Sequence, residues 1–564
     1  MPFRAPTGLS DFAALRRGGL TYVDKSHLIT ALTQDSSLVV LLPRPRRFGK
    51  TTNLSMLRYF YERDPRGEDR TDLFQDLAVW SSEAARAHFQ RYPVISISLK
   101  EIKPASWAEC LADLSGVLSS LYQEHGWALD HPAATAADRE VWSAVAQRKA
   151  DPTTLKRSLL LLSDLLHRAS GERAVILIDE YDTPIHAGWL SGYYREVVDF
   201  FRVFLGAGLK DNTHLARGVL TGILRVSKES IFSDMNHLAV YSLLRPEYSA
   251  CFGFTEEEVQ ALAESAGATD HLPVMRRWYN GYLIGGRTIY NPWSVLNFLA
   301  SADREARAYW VNTSSNELIG RLITTGDPQL TADLEHLLAG GKVRKPIDEG
   351  LVLTDLDERS DAVWSLLLWS GYLKPAAIHK SGREVTLAVP NREVMLAYDT
   401  LLQRWMQRAT GGSAEVNLLL AAMLKGDVEL FEDGLQRLVA HALSFHDTAG
   451  RDPERVYHAF TLGLLVQLRS THKVASNRES GLGRADVLVI PRRAGRPGVV
   501  IEFKRVREHE TPDTALQAAL AQIQSKAYAA QLFDAGASVV HAYGVVFDGK
   551  KVRVRAAGDA PTPR

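Results

Sequence analysis

The sequence has few cysteines, no excess of either charge and no long apolar run. Only Cys110 and Cys251 occur in 564 residues, which excludes a disulfide-stapled secreted fold and is typical of a reducing compartment. Lys plus Arg and Asp plus Glu number 66 each, so the formal net charge is zero and any polyanion must be bound by a local patch. No apolar stretch reaches the length of a membrane span, and the N-terminus lacks the apolar core of a secretion signal. We therefore expect a cytoplasmic protein without a membrane partner.

The chain does contain enough apolar residues for several folded cores. Its 46% hydrophobic and 23% charged residues are typical of globular proteins, and its length predicts about three to four domains. Continuous apolar runs alternate with amphipathic helical segments in the first half, which predicts a parallel sheet covered on both faces. These predicted strands are residues 37–43, 93–99, 174–180 and 215–223.

Beyond the first sheet, the pattern changes twice. Residues from about 255 to 423 show mostly helical patterns with aromatic clusters. Residues 485–491 and 499–506 then read as a β-hairpin, followed by a helix over 514–532 and a closing strand. The overall fold class is therefore α/β. We predict three domains, at residues 1–250, 251–425 and 426–564.

A short loop after the first predicted strand has the chemistry of a phosphate cradle. There, backbone N–H groups and the dipole of the following helix favour bound phosphate, while Lys50 would reach the β- and γ-phosphates and Thr51 would hold Mg²⁺. The usual pattern G-x-x-x-x-G-K-[ST] has a glycine where this chain has Arg44, and Gly-Lys-Thr alone also occurs by chance. Whether Arg44 touches phosphate, nucleic acid or neighbouring protein stays open. The predicted nucleotide-binding residues of the loop are Arg47, Phe48, Gly49, Lys50, Thr51 and Thr52.

A second apolar strand ends in paired carboxylates that complement this loop. Asp179 would hold Mg²⁺, directly or through water, and Glu180 would polarise the attacking water. The alternative is a buried strand with solvated acids at its end. A third strand ends near Thr221, a candidate sensor of the γ-phosphate, and Arg225 could either stabilise transition-state charge or be an ordinary surface arginine. Together these residues predict an ATP site with Mg²⁺.

The C-terminal hairpin carries a second group of candidate residues. Because side chains alternate along a strand, Glu502 and Lys504 share one face, and Asp486 begins the preceding strand. Two carboxylates can hold Mg²⁺ through oxygen, and Lys504 can position a water or the scissile phosphate. A plain cross-face ion pair is the alternative for Glu502 and Lys504 alone.

Three further residues could complete that site. Glu454, at the start of a helix-like segment, could supply a third carboxylate to the metal. Gln522 and Tyr528, on the predicted helix that follows the hairpin, could orient the lysine or a nucleic-acid backbone.

At this point the motifs resemble a known family, the bacterial and archaeal AAA-ATPase-like proteins fused to a PD-(D/E)XK nuclease-superfamily domain. The resemblance implies a P-loop NTPase sheet with a helical lid and middle region, then a restriction-endonuclease-like α/β domain. It also implies that arginine is usual at position 44, that Asp486, Glu502 and Lys504 fill the three nuclease signature positions, and that a homo-oligomer is one expected assembly. The strings that carry it include "YVDKS" (Tyr22–Ser26), "LLPRPRRFGKT" (Leu41–Thr51), "LIDEYDTPI" (Leu177–Ile185), "TGILRVSKESIFSDMNHL" (Thr221–Leu238), "YNPWSVLNFL" (Tyr290–Leu299), "SNRESGLGRADVLVI" (Ser476–Ile490) and "VVIEFK" (Val499–Lys504).

Three functional hypotheses follow. The first is an ATP-binding and ATP-hydrolysing protein whose Mg²⁺-dependent nuclease domain cleaves DNA under nucleotide control. The alternative is an ATP-dependent switch or scaffold whose nuclease-like domain binds nucleic acid without cutting it. A third is a nucleotide sensor that turns ATP over slowly.

Overall fold

The computed structural model divides the chain into two compact units. One comprises Met1–Asn312 and Arg344–Val394, and the other comprises Thr313–Val343 and Met395–Arg564. The bounds of the three predicted domains stay a prediction. The structure describes residues 3–224, 238–310, 328–359, 361–379, 384–410, 412–444, 463, 467–476, 486–506, 510–525, 528–548 and 551–557.

A five-stranded parallel sheet forms the centre of the first unit, in the order β2-β3-β4-β1-β5. Its strands are β1 (Val39–Pro43), β2 (Val94–Ser98), β3 (Ala174–Asp179), β4 (Leu215–Gly222) and β5 (Leu238–Val240). Every residue of β1 and β3 is buried, as expected for strands covered on both faces. The predicted parallel α/β sheet is confirmed.

Helices flank and connect these strands, and α7 illustrates how the sequence sets their ends. They are α1 (Phe12–Arg17), α2 (His27–Gln34), α3 (Lys50–Tyr61), α4 (Glu83–Arg86), α5 (Trp107–Glu124), α6 (Ala136–Ala146), α7 (Pro152–Ser170), α8 (Thr183–Ser191) and α9 (Tyr194–Leu209). For α7, the Asp151 side chain accepts hydrogen bonds from the first-turn N–H groups, Pro152 occupies the first helical position, and Gly171 ends the helix at φ +75°. These are the residue types that favour the two ends of a helix.

The region after β5 contains short strands as well as helices. Its helices are α10 (Glu256–Ser265), α11 (Leu272–Tyr279), α12 (Pro292–Ala300), α13 (Pro328–Leu338), α14 (Asp355–Glu358) and α15 (Ala362–Trp369). Its strands are β6 (Tyr282–Ile284), β7 (Arg287–Ile289), β8 (Val343–Pro346), β9 (Lys374–Ile378) and β10 (Glu384–Ala388), which form a hairpin and a sheet in the order β8-β10-β9. The sequence pattern predicted mostly helices with irregular turns here and identified none of these strands, because strands this short carry little periodicity.

The second unit contains a mixed five-stranded sheet in the order β11-β12-β13-β14-β15. Its strands are β11 (His472–Ser476), β12 (Val487–Pro491), β13 (Arg496–Arg505), β14 (Ala537–Asp548) and β15 (Lys551–Ala556). The remaining helices are α16 (Arg392–Thr410), α17 (Ser413–Lys425), α18 (Val428–Ser444), α19 (Pro512–Ser525) and α20 (Tyr528–Asp534). The antiparallel pairing of β12 with β13 confirms the predicted hairpin, whereas the single helix predicted over 514–532 is described as two, α19 and α20.

Both faces of this second sheet are covered by helices. Val487 and Val499 pack against α17 and α18 on one face, and Leu488 and Val500 pack with residues of α19 and α20 on the other. Adjacent residues of one strand thus enter different cores, as the period of two requires. Among the described residues, no helix combines the length and the apolar character needed to cross a membrane.

A buried carboxyl group joins three segments of the first unit. Glu393, in the first turn of α16, is fully buried and accepts hydrogen bonds from Ser294 Oγ at 2.8 Å and from Trp310 N at 2.9 Å. Burial raises the pKa of Glu393 to about 7. The indole N–H of the same Trp310 donates to the carbonyl oxygen of Arg46 at 3.4 Å, so this cluster reaches the loop after β1.

Candidate active sites

Three neighbouring strands bring the N-terminal candidate residues to one edge of the parallel sheet. β4 lies between β1 and β3, and Pro43 and Gly222 are paired at the carboxyl ends of β1 and β4. Asp179 ends β3 at the same edge. Ligands of open α/β sheets bind outside the carboxyl ends of the strands, so the loop after β1 lies where a ligand would be held.

The loop after β1 has the backbone of a close-approach site. Gly49 precedes α3 with φ +83°, a left-handed conformation that glycine adopts without strain. A side chain built on Gly49 would meet no heavy atom within 4 Å, so one side of this residue is open. The open side adjoins the N-terminus of a 12-residue helix, where backbone N–H groups favour an anion.

Lys50 spans the base of this loop. Its ammonium group donates to the carbonyl oxygens of Arg44 and Pro45, both at 3.1 Å, and the residue is only 4% exposed. Burial lowers the pKa of Lys50, while the charges of Glu180 and Asp179 act in the opposite direction. An ammonium group has three donors, so Lys50 can bind a phosphate oxygen by using its third donor or by exchanging a carbonyl.

Asp179 is held between two hydroxyl groups. Thr51 Oγ1 donates to Asp179 Oδ2 and Thr221 Oγ1 donates to Asp179 Oδ1, each at 2.7 Å. Burial raises the pKa of Asp179, and these two hydrogen bonds oppose that shift. A hydroxyl and a carboxylate oxygen in contact are a donor set that suits Mg²⁺, so the residues present fit this ion.

Glu180 has an unusual backbone. Its φ is +50°, in the left-handed region that is disfavoured for residues other than glycine. The turn is closed by Thr183 N, which donates to the carbonyl oxygen of Glu180 at 3.1 Å, and Thr183 Oγ1 donates to Glu180 Oε2 at 3.3 Å. The two carboxylates thus have different partners: Asp179 contacts Thr51, whereas Glu180 contacts Thr183.

Arg44, which replaces the usual glycine, is directed into the protein interior. It is fully buried, and its guanidinium donates to the carbonyl oxygens of Pro43, Tyr241 and Tyr248 at 2.8, 2.7 and 3.2 Å. It also lies 5.2 Å from the centre of the Phe252 ring. Of the three roles left open for Arg44, contact with neighbouring protein is the one its side chain makes.

The other predicted loop residues lie in different environments. Arg47 is exposed with φ +67°, and its guanidinium carbon lies 4.3 Å from the centre of the Trp293 ring. Phe48 is 1% exposed and packs edge-on against Tyr282 at 4.9 Å, so only its backbone can face a phosphate. Thr52 is half-buried in the first turn of α3.

Sequence reasoning missed one carboxylate of this site. Asp182 is 2% exposed, and its Oδ2 accepts hydrogen bonds from Ile223 N and Leu224 N at 2.8 and 2.9 Å. It lies in the string that ends with Pro184 and Ile185, where it reads as the start of a helix. No local signal indicates that its partners follow β4, about forty residues later.

The second unit assembles the hairpin candidates on one side of β13. Lys504 Nζ donates to Gln522 Oε1 at 2.8 Å and lies 3.6 Å from Glu502 Oε1. Asp486 Oδ2 accepts from Phe503 N at 2.8 Å, which places this carboxylate beside Glu502. Helix α19, β12 and β13 thus bring together Asp486, Glu502, Lys504 and Gln522.

The Glu502 carboxyl group is the most perturbed member of this cluster. Burial and the nearby charge of Asp486 raise the pKa of Glu502 to about 7, although Lys504 acts in the opposite direction. Burial also raises the pKa of Asp486. Within the described part of the chain, Glu502 Oε2 is buried without a hydrogen-bond partner. An unsatisfied buried carboxylate oxygen beside a second carboxylate fits a hard divalent cation.

The structure describes the surroundings of only one of three further predicted residues. Arg225 and Glu454 lie outside the described residues. Tyr528 is 7% exposed and packs in the hydrophobic core with Leu488 and Ile523, which argues for a packing role at the start of α20. Among the described residues, no three acidic, histidine or cysteine side chains form a group that could hold a metal ion.

Comparison with known proteins agrees with this division of chemistry. Residues 6–232 match the family described as Predicted AAA-ATPase, and residues 452–557 match the PD-(D/E)XK nuclease superfamily. The chain is also similar to an uncharacterized protein in the vnfD 5' region of Azotobacter chroococcum mcd 1, with 28% identity over 570 residues that cover 96% of each chain. One polypeptide therefore carries a domain of the predicted AAA-ATPase family followed by a domain of the PD-(D/E)XK nuclease superfamily.

Proposed function

We propose that this protein is an ATP-hydrolysing, Mg²⁺-dependent nuclease of the cytoplasm that cleaves DNA phosphodiester bonds under nucleotide control. The observation that carries the proposal is the buried Glu502 carboxylate, whose Oε2 lacks a partner among the described residues and which lies beside Asp486 and Lys504. A core carboxylate left in this state destabilises the fold unless it serves a ligand. Two free Cys residues, both buried, agree with a reducing compartment.

In the ATPase unit, each residue has a role that its contacts support. The Gly49 backbone and the N-terminus of α3 receive the phosphates, and Lys50 neutralises their charge. Thr51 and Asp179 would hold Mg²⁺, which would neutralise charge that develops on the phosphates during transfer. Glu180 orients the attacking water, and Thr221 keeps Asp179 in place through its 2.7 Å hydrogen bond.

In the nuclease unit, Asp486 and Glu502 would hold Mg²⁺, which would supply an activated water and stabilise the charge of the phosphodiester transition state. Lys504 orients the attacking water or the scissile phosphate. Gln522 fixes the ammonium group of Lys504 through its 2.8 Å contact. Holding the metal requires an ionised Glu502, so at a fixed Mg²⁺ concentration cleavage should decline as the pH falls below about 7.

The test uses four purified variants on circular and linear DNA with Mg²⁺, each with and without ATP. Lys504→Ala should abolish cutting and leave ATP hydrolysis intact, while Lys50→Ala should abolish ATP binding. Lys425→Ala and Lys149→Ala are the matched controls, because both lysines are exposed and lie outside the two clusters. DNA cleavage that persists in Lys504→Ala would overturn the nuclease assignment. Equal cleavage by the wild type with and without ATP would overturn the proposed nucleotide control.

The alternative function has its own signature in the same experiment. A switch or scaffold would bind DNA with an ATP-dependent affinity and release no cleaved product at any Mg²⁺ concentration. Light scattering with and without ATP then tests the proposed homo-oligomer, whose mass should exceed that of the 62.6 kDa chain in a nucleotide-dependent way.

A further inference from the structure

The turn after β3 makes a set of bonds to the end of β4 that the proposed chemistry does not use. Asp182 immediately precedes α8, a position where an aspartate side chain normally accepts from the first turn of its own helix. Here it makes no such bond. Its Oδ2 instead accepts from the consecutive amides of Ile223 and Leu224, and His186 Nε2 lies 3.5 Å from the same oxygen.

Tyr181 joins the same two segments at three points. Its hydroxyl donates to the carbonyl oxygen of Leu224 at 2.7 Å, and its backbone N–H donates to the carbonyl oxygen of Thr221 at 3.1 Å. Its ring lies so close to Gly222 that an added Cβ would be 2.8 Å from Tyr181 Cε1 and 2.6 Å from Asp182 Oδ1. Glycine at position 222 is therefore a condition of this contact.

These contacts fix the spacing of the residues that the ATPase site needs. Glu180 immediately precedes Tyr181 and Asp182, and Thr221 lies just before the amides that Asp182 binds. Asp179 is itself hydrogen-bonded to Thr221. A shift of the turn relative to β4 would displace the Glu180 carboxylate relative to Thr221 while the phosphate loop stayed intact.

We infer that Asp182 is a positioning residue for ATP hydrolysis, because it clamps the turn that carries Glu180 against the end of β4. The inference rests on the proposed ATPase function. The clamp consists of Tyr181, Asp182, Gly222, Ile223 and Leu224. It contributes mainly to the rate of the chemical step, since none of its side chains lies in the phosphate loop; the charge of Asp182 also acts to raise the pKa of Lys50.

The test separates kcat from ATP binding. Asp182→Ala should lower kcat for ATP hydrolysis by between about tenfold and about a hundredfold, the range expected when a reacting group is displaced by up to about 1 Å. Its Kd for ATP, measured by calorimetry, should stay within about twofold of the wild-type value. Asp182→Asn keeps an oxygen that can accept from both amides, so it should recover much of the lost rate.

Two further variants address the geometry directly and remain informative if Asp182→Ala fails to fold. Tyr181→Phe removes only the hydroxyl bond to Leu224 and should lower kcat by a smaller factor. Gly222→Ala pushes the two segments apart and should lower kcat without touching a charged group. Asp199→Ala is the matched control, because this aspartate is exposed on α9.

Each result decides one question. Loss of kcat in Asp182→Ala with partial recovery in Asp182→Asn supports the clamp. A wild-type kcat in Asp182→Ala, or equal losses of kcat and of ATP-binding sites in every variant, overturns it, because the second pattern is that of a purely structural residue. A wild-type protein that binds ATP without hydrolysing it refutes the proposed ATPase function, and the positioning role with it.

Discussion

The Arg44→Gly variant gives this chain the glycine of the usual phosphate-loop pattern, and we expect it to be less stable than the wild type. The Arg44 guanidinium fills a buried site and donates three hydrogen bonds to main-chain carbonyls. Burial lowers the pKa of Arg44 only to about 10, so the group is charged at neutral pH. Glycine removes both the donors and the volume.

The magnitude follows from the three carbonyl groups that lose their partner. Leaving a buried acceptor unsatisfied costs about 1 to 3 kcal/mol, so three acceptors predict a loss of at least about 3 kcal/mol in the free energy of unfolding. Water that enters the vacated space can replace some of these bonds, which sets the expectation near the lower bound. Gly49, Lys50 and Thr51 are untouched.

Peptide-level hydrogen exchange is the suitable assay, because it reports local opening in a chain of several domains. Peptides that cover Tyr241 to Phe252 should exchange faster in Arg44→Gly, while peptides that cover β13 should not change. Arg44→Met is the companion variant, since it keeps most of the volume but none of the donors. Unchanged exchange around Tyr241 and Tyr248 in Arg44→Gly would refute the structural role of Arg44.

Three shorter predictions concern the buried titratable groups and the lysine. The pKa of Glu393 is about 7 in the folded protein and 4.5 ordinarily, so the folded state binds the proton more tightly. The wild-type free energy of unfolding should therefore fall by about 3 kcal/mol as the pH rises from 4.5 to above 7. Urea unfolding of Glu393→Gln should not show this pH dependence. Gln522→Leu frees the ammonium of Lys504 and should lower DNA cleavage by about tenfold while DNA binding measured by anisotropy is unchanged. Because Glu502 must be ionised to hold a cation, calorimetric Mn²⁺ affinity of the nuclease unit in the full chain should rise about tenfold between pH 6 and pH 8, and a flat profile would contradict the raised pKa.

Sequence patterns predicted the elements whose residues carry their own signal. β1 and β3 are almost entirely apolar and β4 is mostly apolar, while β12 and β13 alternate between two cores, so each of these strands could be recognised from its own residues. β15 has the sequence KVRVRA with exposed residues at alternate positions, and β5 has three residues. Such short or charged edge strands resemble loops until a neighbouring strand is known.

The sites were predictable to the extent that their spacing is local. Gly49, Lys50 and Thr51 are consecutive, and Glu502 and Lys504 share a face by the period of a strand. Two carbonyls that bind Arg44, those of Tyr241 and Tyr248, lie about two hundred residues away. The amides that bind Asp182 lie about forty residues away. Contacts at such separation depend on strand order, which no short motif records, so these roles required the fold.

Under the proposed function, the left-handed backbone of Glu180 makes ATP hydrolysis and fold stability compete at one position. A non-glycine residue in this conformation costs about 1 to 2 kcal/mol, and glycine would relieve that strain without disturbing the sheet. The residue with the least backbone strain in this turn is therefore glycine, which carries no carboxylate. A screen of this protein that selects only for folding and solubility would favour glycine at position 180. The selected variant would be more stable and would still bind ATP, but it would not hydrolyse it.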